Sequence, residues 1–242
     1  MLKKRTLNFV IACLAILITN SNVFSDSKRP VEEKLKNRAE ESAKRAPQEF
    51  RDLTNQGFET LEKSNITKTA LQIGEKMPSF SLPDENGNIV SSDELLKNGN
   101  LILVFYRGQW CPYCNIYLSE MEKYLPDFKK LNASLVAISA EPPDRSLEVA
   151  KMDSLTYPVL SDTGLVASKK FGIVFEVPAT IQQAMGKFDF NFQEYYKSEK
   201  AELPLSATYV VNPQGQIIYA FLEIDYKLRA EPVDIIEVLK TE

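Results

Sequence analysis

The spacing of apolar positions changes several times along this 242-residue chain, and each change predicts an element. Behind Lys3, Lys4 and Arg5 an unbroken apolar run extends from Phe9 to Ile18. A mostly charged segment from Lys28 to Arg45 follows, with Val31, Leu35, Ala39 and Ala43 forming a thin apolar stripe at helical spacing. Phe50, Leu53, Phe58 and Leu61 repeat that spacing after Pro47, which suits a helix start. Residues 26–73 therefore read as a charged helical arm that packs loosely on the rest.

From Gly74 onward the pattern becomes that of a compact domain, 74–242. "MPSFSLPDENGNIV" offers two short extended pieces around an Asn86-Gly87 turn, a hairpin signal. Leu101 to Tyr106 is continuously apolar and rich in strand-favouring residues, as expected of a strand covered on both faces. Pro112 then suits the first position of a helix. Tyr117, Met121, Tyr124, Leu125, Phe128 and Leu131 recur at helical spacing, with a kink expected at Pro126. Residues 134–139 predict a second buried strand, and 144–154 another helix. Strand, helix, strand in this order builds a parallel pair. Residues 207–211 and 216–222 flank a proline- and glycine-bearing turn, Asn212 to Gly215, and predict an antiparallel hairpin. A final helix is expected from Pro232 to Leu239. The fold class is α/β with a central mixed sheet flanked by helices and an N-terminal helical extension.

Composition narrows the function. With 29 basic and 33 acidic side chains and a formal net charge of -4, no positive field exists to attract nucleic acid. Residues 1–25 have the pattern of a secretory leader: basic start, short apolar run, polar end after Ser25. The run is too short for a permanent membrane anchor. The expected location is secreted or periplasmic, after leader removal, where thiols and disulfides both matter.

Removal of the leader takes Cys13 with it and leaves Cys111 and Cys114, in "RGQWCPYCN". With no histidine and two cysteines, the chain lacks the donors for the usual Cys/His zinc centre or a four-cysteine cluster. A c-type haem attachment needs His where Asn115 stands. A fixed disulfide over so short a loop restrains the unfolded chain by only about 2 kcal/mol. The alternative is redox chemistry. If Pro112 opens a helix, Cys111 is its N-cap and Cys114 lies in its first turn, where free N–H groups and the helix dipole favour a thiolate. Trp110 shields one side. A working pair of this kind is expected to be open to solvent and near enough to join; sulfurs buried away from solvent, or held too far apart to join, are expected to rule the enzyme out.

"LILVFYRGQWCPYCNIYL" resembles the active-site segment of the thioredoxin superfamily, above all the peroxiredoxin-like branch of the alkyl hydroperoxide reductase C and thiol-specific antioxidant group. "GEKMPSFSLPDENG" resembles the opening of that group. Residues 203–232, with Asp225-Tyr226 and Arg229-Ala230-Glu231-Pro232, resemble its ending. The resemblance implies a thioredoxin fold, reduction of peroxides or disulfides through a Cys-x-x-Cys dithiol/disulfide cycle, a thioredoxin-like dithiol reductant as partner, and no cofactor or metal. In the thioredoxin register Cys111 attacks; in the peroxiredoxin register Cys114 does. The chain departs from peroxiredoxins by carrying Cys111 and Arg107 where they place a threonine and a proline. It also has Ser206 where thioredoxins carry a cis-proline and peroxiredoxins often an arginine. Arg107 reads either as a substitute cation or as an exposed loop charge. The competing class is a non-catalytic thioredoxin-fold binding or holdase module, engaging a partner through the charged arm.

Overall fold

The computed structural model describes residues 29–241. The leader expected over residues 1–25 lies outside them. The chain runs α1 (Pro30–Arg45), α2 (Gln48–Lys63), α3 (Ile66–Thr69), β1 (Ser81–Pro83), β2 (Ile89–Ser91), α4 (Ser92–Leu96), β3 (Asn100–Phe105), α5 (Pro112–Lys130), β4 (Ala133–Ser139) and α6 (Pro143–Met152). It continues through β5 (Val159–Ser161), α7 (Val166–Lys170), β6 (Val174–Glu176), α8 (Ala179–Gly186), α9 (Phe192–Tyr196), β7 (Glu202–Pro204), β8 (Thr208–Val211), β9 (Ile217–Phe221) and α10 (Pro232–Lys240).

A five-stranded sheet in the order β5-β4-β3-β8-β9 forms the centre, with β3, β4 and β5 parallel and β8 and β9 antiparallel. The apolar run in β3 now has its reason, since alternate residues point to opposite faces and both faces are covered. Ile102 and Val104 face a core shared with Leu118 and Phe128 of α5 and Ile235 of α10. Leu101, Leu103 and Phe105 face a second core with Phe171 and Tyr209. The predicted hairpin at the start of the domain is β1 paired antiparallel with β2, and the late hairpin is β8 with β9, closed by a hydrogen bond from Gly215 N–H to Asn212 O of 2.8 Å. The α5 helix runs on through Pro126.

One expectation needs correction. The arm is not loosely packed: Val31 and Leu35 of α1 are 0% and 2% exposed and sit in the core beside α5. Every fourth residue sufficed, because α1 needs only a narrow stripe to fill the groove beside α5. Its first N–H groups are also tied down, as the Glu231 carboxylate accepts from Glu32 N–H at 2.6 Å and from Val31 N–H at 3.4 Å. That is a cap supplied from the far end of the chain. The stretch 162–202, for which the sequence predicts no element, is also ordered. It folds as α7, β6, α8, α9 and β7, with β6 and β7 forming a separate two-stranded sheet. These elements are short, so each gives too few repeats for a period to show.

Candidate active site

The end of β3 delivers the chain to the start of α5 through a tight loop. Gly108 takes φ +150°, a conformation that L side chains rarely adopt, and a Cβ there would lie 2.9 Å from Glu141 Oε1 and 2.8 Å from Trp110 Nε1. Cys111 then has an extended N-cap conformation with Pro112 at N1, as the sequence predicts, and its carbonyl accepts from Cys114 N–H at 2.9 Å. Cys111 and Cys114 are both free thiols, one at the cap and one within the first turn. Cys111 and Cys114 lie close enough for each to shift the other's ionisation, so the two are brought together.

The expected solvent access is not met. Both cysteines are 0% exposed. The physical reason is a roof of side chains rather than backbone. The guanidinium of Arg107 lies 4.4 Å from the Trp110 ring centre and 3.9 Å from that of Tyr226, and Tyr226 packs edge-on to Tyr113 at 5.3 Å. Trp110 is itself pinned, its Nε1–H donating to Tyr196 Oη at 2.8 Å with Phe190 and Phe192 against its ring. Those partners come from α9 and the segment before it. The cover is made of side chains, whose rotamers change on faster timescales than loop backbone moves.

Arg107 is 8% exposed, which excludes the reading as an exposed loop charge, and its Nη1 lies 3.7 Å from Cys111 Sγ. Ser206, which the resemblance sets in place of an arginine, is buried just ahead of β8. Pro204, two residues earlier, is paired with Val174 in the small sheet and belongs to a different layer. The missing cation is nevertheless present. Arg229, 5% exposed, places Nη2 3.2 Å from Cys114 Sγ, while its Nε donates to Tyr226 O at 2.9 Å and its Nη1 has no protein partner. The sequence contained Arg229 within the Arg-x-Glu-Pro ending, with no spacing to link it to a thiol 115 residues away.

This environment separates the two sulfurs. Burial alone raises the Cys114 thiol, but the hydrogen bond from Cys111, the guanidiniums of Arg229 and Arg107 and the Arg107 backbone N–H outweigh it and bring Cys114 well below the ordinary thiol range. Cys111 goes the other way, pushed well up by burial, by its hydrogen bond to Cys114 and by that sulfur's charge. Behind the loop lies a residue that sequence reasoning missed, Glu141, which is 0% exposed. Its carboxylate accepts from Tyr195 Oη at 2.6 Å, from Gln109 N–H at 2.9 Å and from Tyr106 Oη at 3.4 Å. Burial holds its carboxyl above the usual carboxylate range against those donors. No group of metal-ligating side chains occurs among the described residues.

A mixed sheet that presents two charge-flanked thiols at the head of its main helix is the site of a thiol oxidoreductase of the thioredoxin superfamily. Residues 73–220 match the AhpC/TSA family, and the chain belongs to that family of thiol-dependent peroxidases. The alkyl hydroperoxide reductase E of Mycobacterium tuberculosis is 27% identical over 150 residues, 62% of this chain and 84% of that protein. Peroxiredoxin Bcp of Escherichia coli is 28% identical over 104 residues, 43% of this chain and 65% of the relative. Among solved structures, peroxidoxin BcpB from Mycobacterium tuberculosis superposes with a TM-score of 0.56 at 19% identity, covering 71% of this chain and 97% of that one. AhpC from Enterococcus faecalis does so with 0.55 at 18%, covering 70% and 90%.

Proposed function

We propose that the protein reduces peroxides through a dithiol/disulfide cycle in which Cys114 is the attacking thiolate and Cys111 the resolving thiol. The observation that carries this assignment is the Arg229 guanidinium, 3.2 Å from Cys114 Sγ in a site sealed from solvent. There a charge-assisted contact is worth more than it is in water. The Cys114 thiolate attacks one oxygen of the peroxide and the O–O bond breaks. The departing oxygen takes a proton and leaves as water or an alcohol, and Cys114 becomes a sulfenic acid. The unpartnered Nη1 of Arg229 is free to donate to the developing charge on that oxygen. Cys111, protonated until then, attacks the Cys114 sulfur; the S–S bond forms and water leaves. An external dithiol, of the thioredoxin-like kind, then reduces the bridge and is itself oxidised to a disulfide.

The test is to treat the reduced Cys111→Ser variant with one equivalent of hydrogen peroxide and trap the sulfenic acid. Trapping at Cys114, mapped by mass spectrometry, is the expected result. If instead Cys114→Ser is the variant that keeps a trappable sulfenic acid, the two roles are reversed. A protein that consumes no peroxide yet reduces insulin disulfides returns the site to disulfide exchange. The leader pattern of residues 1–25 supports a secreted or periplasmic location, which N-terminal sequencing of the exported protein tests.

A further inference from the structure

Helix α6 ends at Met152, whose side chain is 66% exposed. Of the other methionines in the described residues, Met77 and Met121 are 8% and 0% exposed and Met185 is half-buried. The Met152 sulfur is not idle at the surface: it accepts a hydrogen bond from Gln109 Nε2 at 3.1 Å, across 43 residues of sequence. The helix that carries it is fixed, since Val149 is buried in the core beside α5 and the Ser146 and Ser161 hydroxyls bond at 2.9 Å. Gln109 belongs to the thiol loop. Its backbone N–H donates to the Glu141 carboxylate at 2.9 Å, its carbonyl accepts from Asn115 Nδ2 at 2.9 Å, and Trp110 and Cys111 follow it directly. One amide therefore joins a solvent-facing thioether to the loop that covers and caps the two sulfurs.

We propose that Met152 is a site of oxidation separate from the thiols, converted by peroxide to the sulfoxide, and that Gln109 then holds the sulfoxide oxygen and slows access to the thiol pair. In the step the Met152 sulfur attacks one peroxide oxygen, an S–O bond forms and the O–O bond breaks. Sulfur gives up two electrons. The departing oxygen takes the proton of the transferred one and leaves as water or an alcohol. A thioether sulfur is a weak acceptor, whereas the sulfoxide is polar, so the tie from Gln109 Nε2 is strengthened by the change. Both cysteines are 0% exposed, so a reagent reaches them only when the Arg107 and Trp110 cover gives way. Gln109 lies between those two residues in sequence, and a firmer tie there resists that movement. The inference goes beyond the peroxidase cycle and takes from it only the oxidant, a peroxide present in excess of what the thiols consume.

The test starts from the full chain with Cys111 and Cys114 joined as a disulfide, which spares them while the protein is exposed to excess hydrogen peroxide. The bridge is then opened with a dithiol, sulfoxides are mapped by mass spectrometry, and the rate of Cys114 alkylation by iodoacetamide is measured. Met152 is expected to convert several times faster than Met77, Met121 and Met185. Alkylation is expected to be about fivefold slower in the converted protein, the equivalent of about 1 kcal/mol for one strengthened hydrogen bond, and a methionine sulfoxide reductase is expected to restore the rate. Met152→Leu is expected to keep its alkylation rate through the same exposure, and Gln109→Ala to gain the sulfoxide without slowing. Conversion spread evenly over the four methionines, an unchanged rate in the converted wild type, or equal slowing in either variant overturns the proposal. A chain that consumes no peroxide overturns the peroxidase reading alone, because neither the mapping nor the alkylation rate depends on turnover.

Discussion

The segment that matches the family and the two flanks that do not divide the site between them. Residues 73–220 hold both sulfurs, Arg107, Trp110 and Glu141, at the ends of β3 and β4 and the head of α5. The flanks hold Arg229 on Cys114, Tyr226 over Arg107, and Glu231, whose carboxylate caps α1. The core thus supplies the reacting atoms, and the flanks supply much of the charge and cover that decide how those atoms behave. They are also linked to each other. Helix α1 is capped by Glu231, two residues from Arg229, so the arm at the start of the chain steadies the cation at its end.

The severest way to break this comparison is to remove the core's own contribution. Cys114→Ser is expected to lower peroxide consumption about a thousandfold or more, since no other side chain here replaces a thiolate nucleophile. Residual turnover near wild type, measured by loss of hydrogen peroxide, would place the chemistry elsewhere. Next comes the flank cation. Arg229→Met removes the guanidinium 3.2 Å from Cys114 and is expected to slow alkylation of Cys114 by iodoacetamide about tenfold at neutral pH. The sign follows from the direction of the shift. Because Cys114 is held below the ordinary thiol range, its alkylation rate in the wild type stays level on lowering the pH through that range and drops only at more acidic pH. In the variant the drop moves to higher pH. Identical profiles in the two proteins would mean that the helix and backbone suffice without the flank.

A smaller effect is expected from Glu231→Ala, which uncaps α1. Losing acceptors for Glu32 and Val31 N–H costs about 1 to 2 kcal/mol of stability, seen as a Tm lower by a few degrees. It should also shift the alkylation profile in the same direction as Arg229→Met but less far, and a stability loss with no shift would uncouple α1 from the site. The smallest effect belongs to Arg29→Ala. Its bridge to Asp234 joins side chains 46% and 41% exposed, and removing it is expected to change stability by less than about 0.5 kcal/mol in urea denaturation. A larger loss would mean that the arm is held by surface charge rather than by the buried Val31 and Leu35.

Much of the sheet was legible because its signals are local. The unbroken run at β3, Pro112 at the head of α5 and the Asn212–Gly215 turn each announce themselves within a few residues. The thiol pair was legible for the same reason, since Cys111 and Cys114 share one turn. Arg229, Glu141 and the roof of Arg107 and Tyr226 were not, because their distances to the pair depend on how separate segments dock. Even Ser206, read correctly as lacking the arginine, misled on its own, since the charge arrives from another loop. The arm's stripe was seen, but stripe width does not report depth of burial.

The chain's own order of residues determined the secondary elements around the site, the N-cap position of Cys111 and the absence of histidine chemistry, because propensity, period and composition are properties of neighbouring residues. Tertiary structure alone decided which guanidinium lies against which sulfur and what covers the pair. Those are matters of electrostatic distance and burial, and both are set only when segments as far apart as α1, β3 and the Tyr226–Glu231 stretch pack against one another.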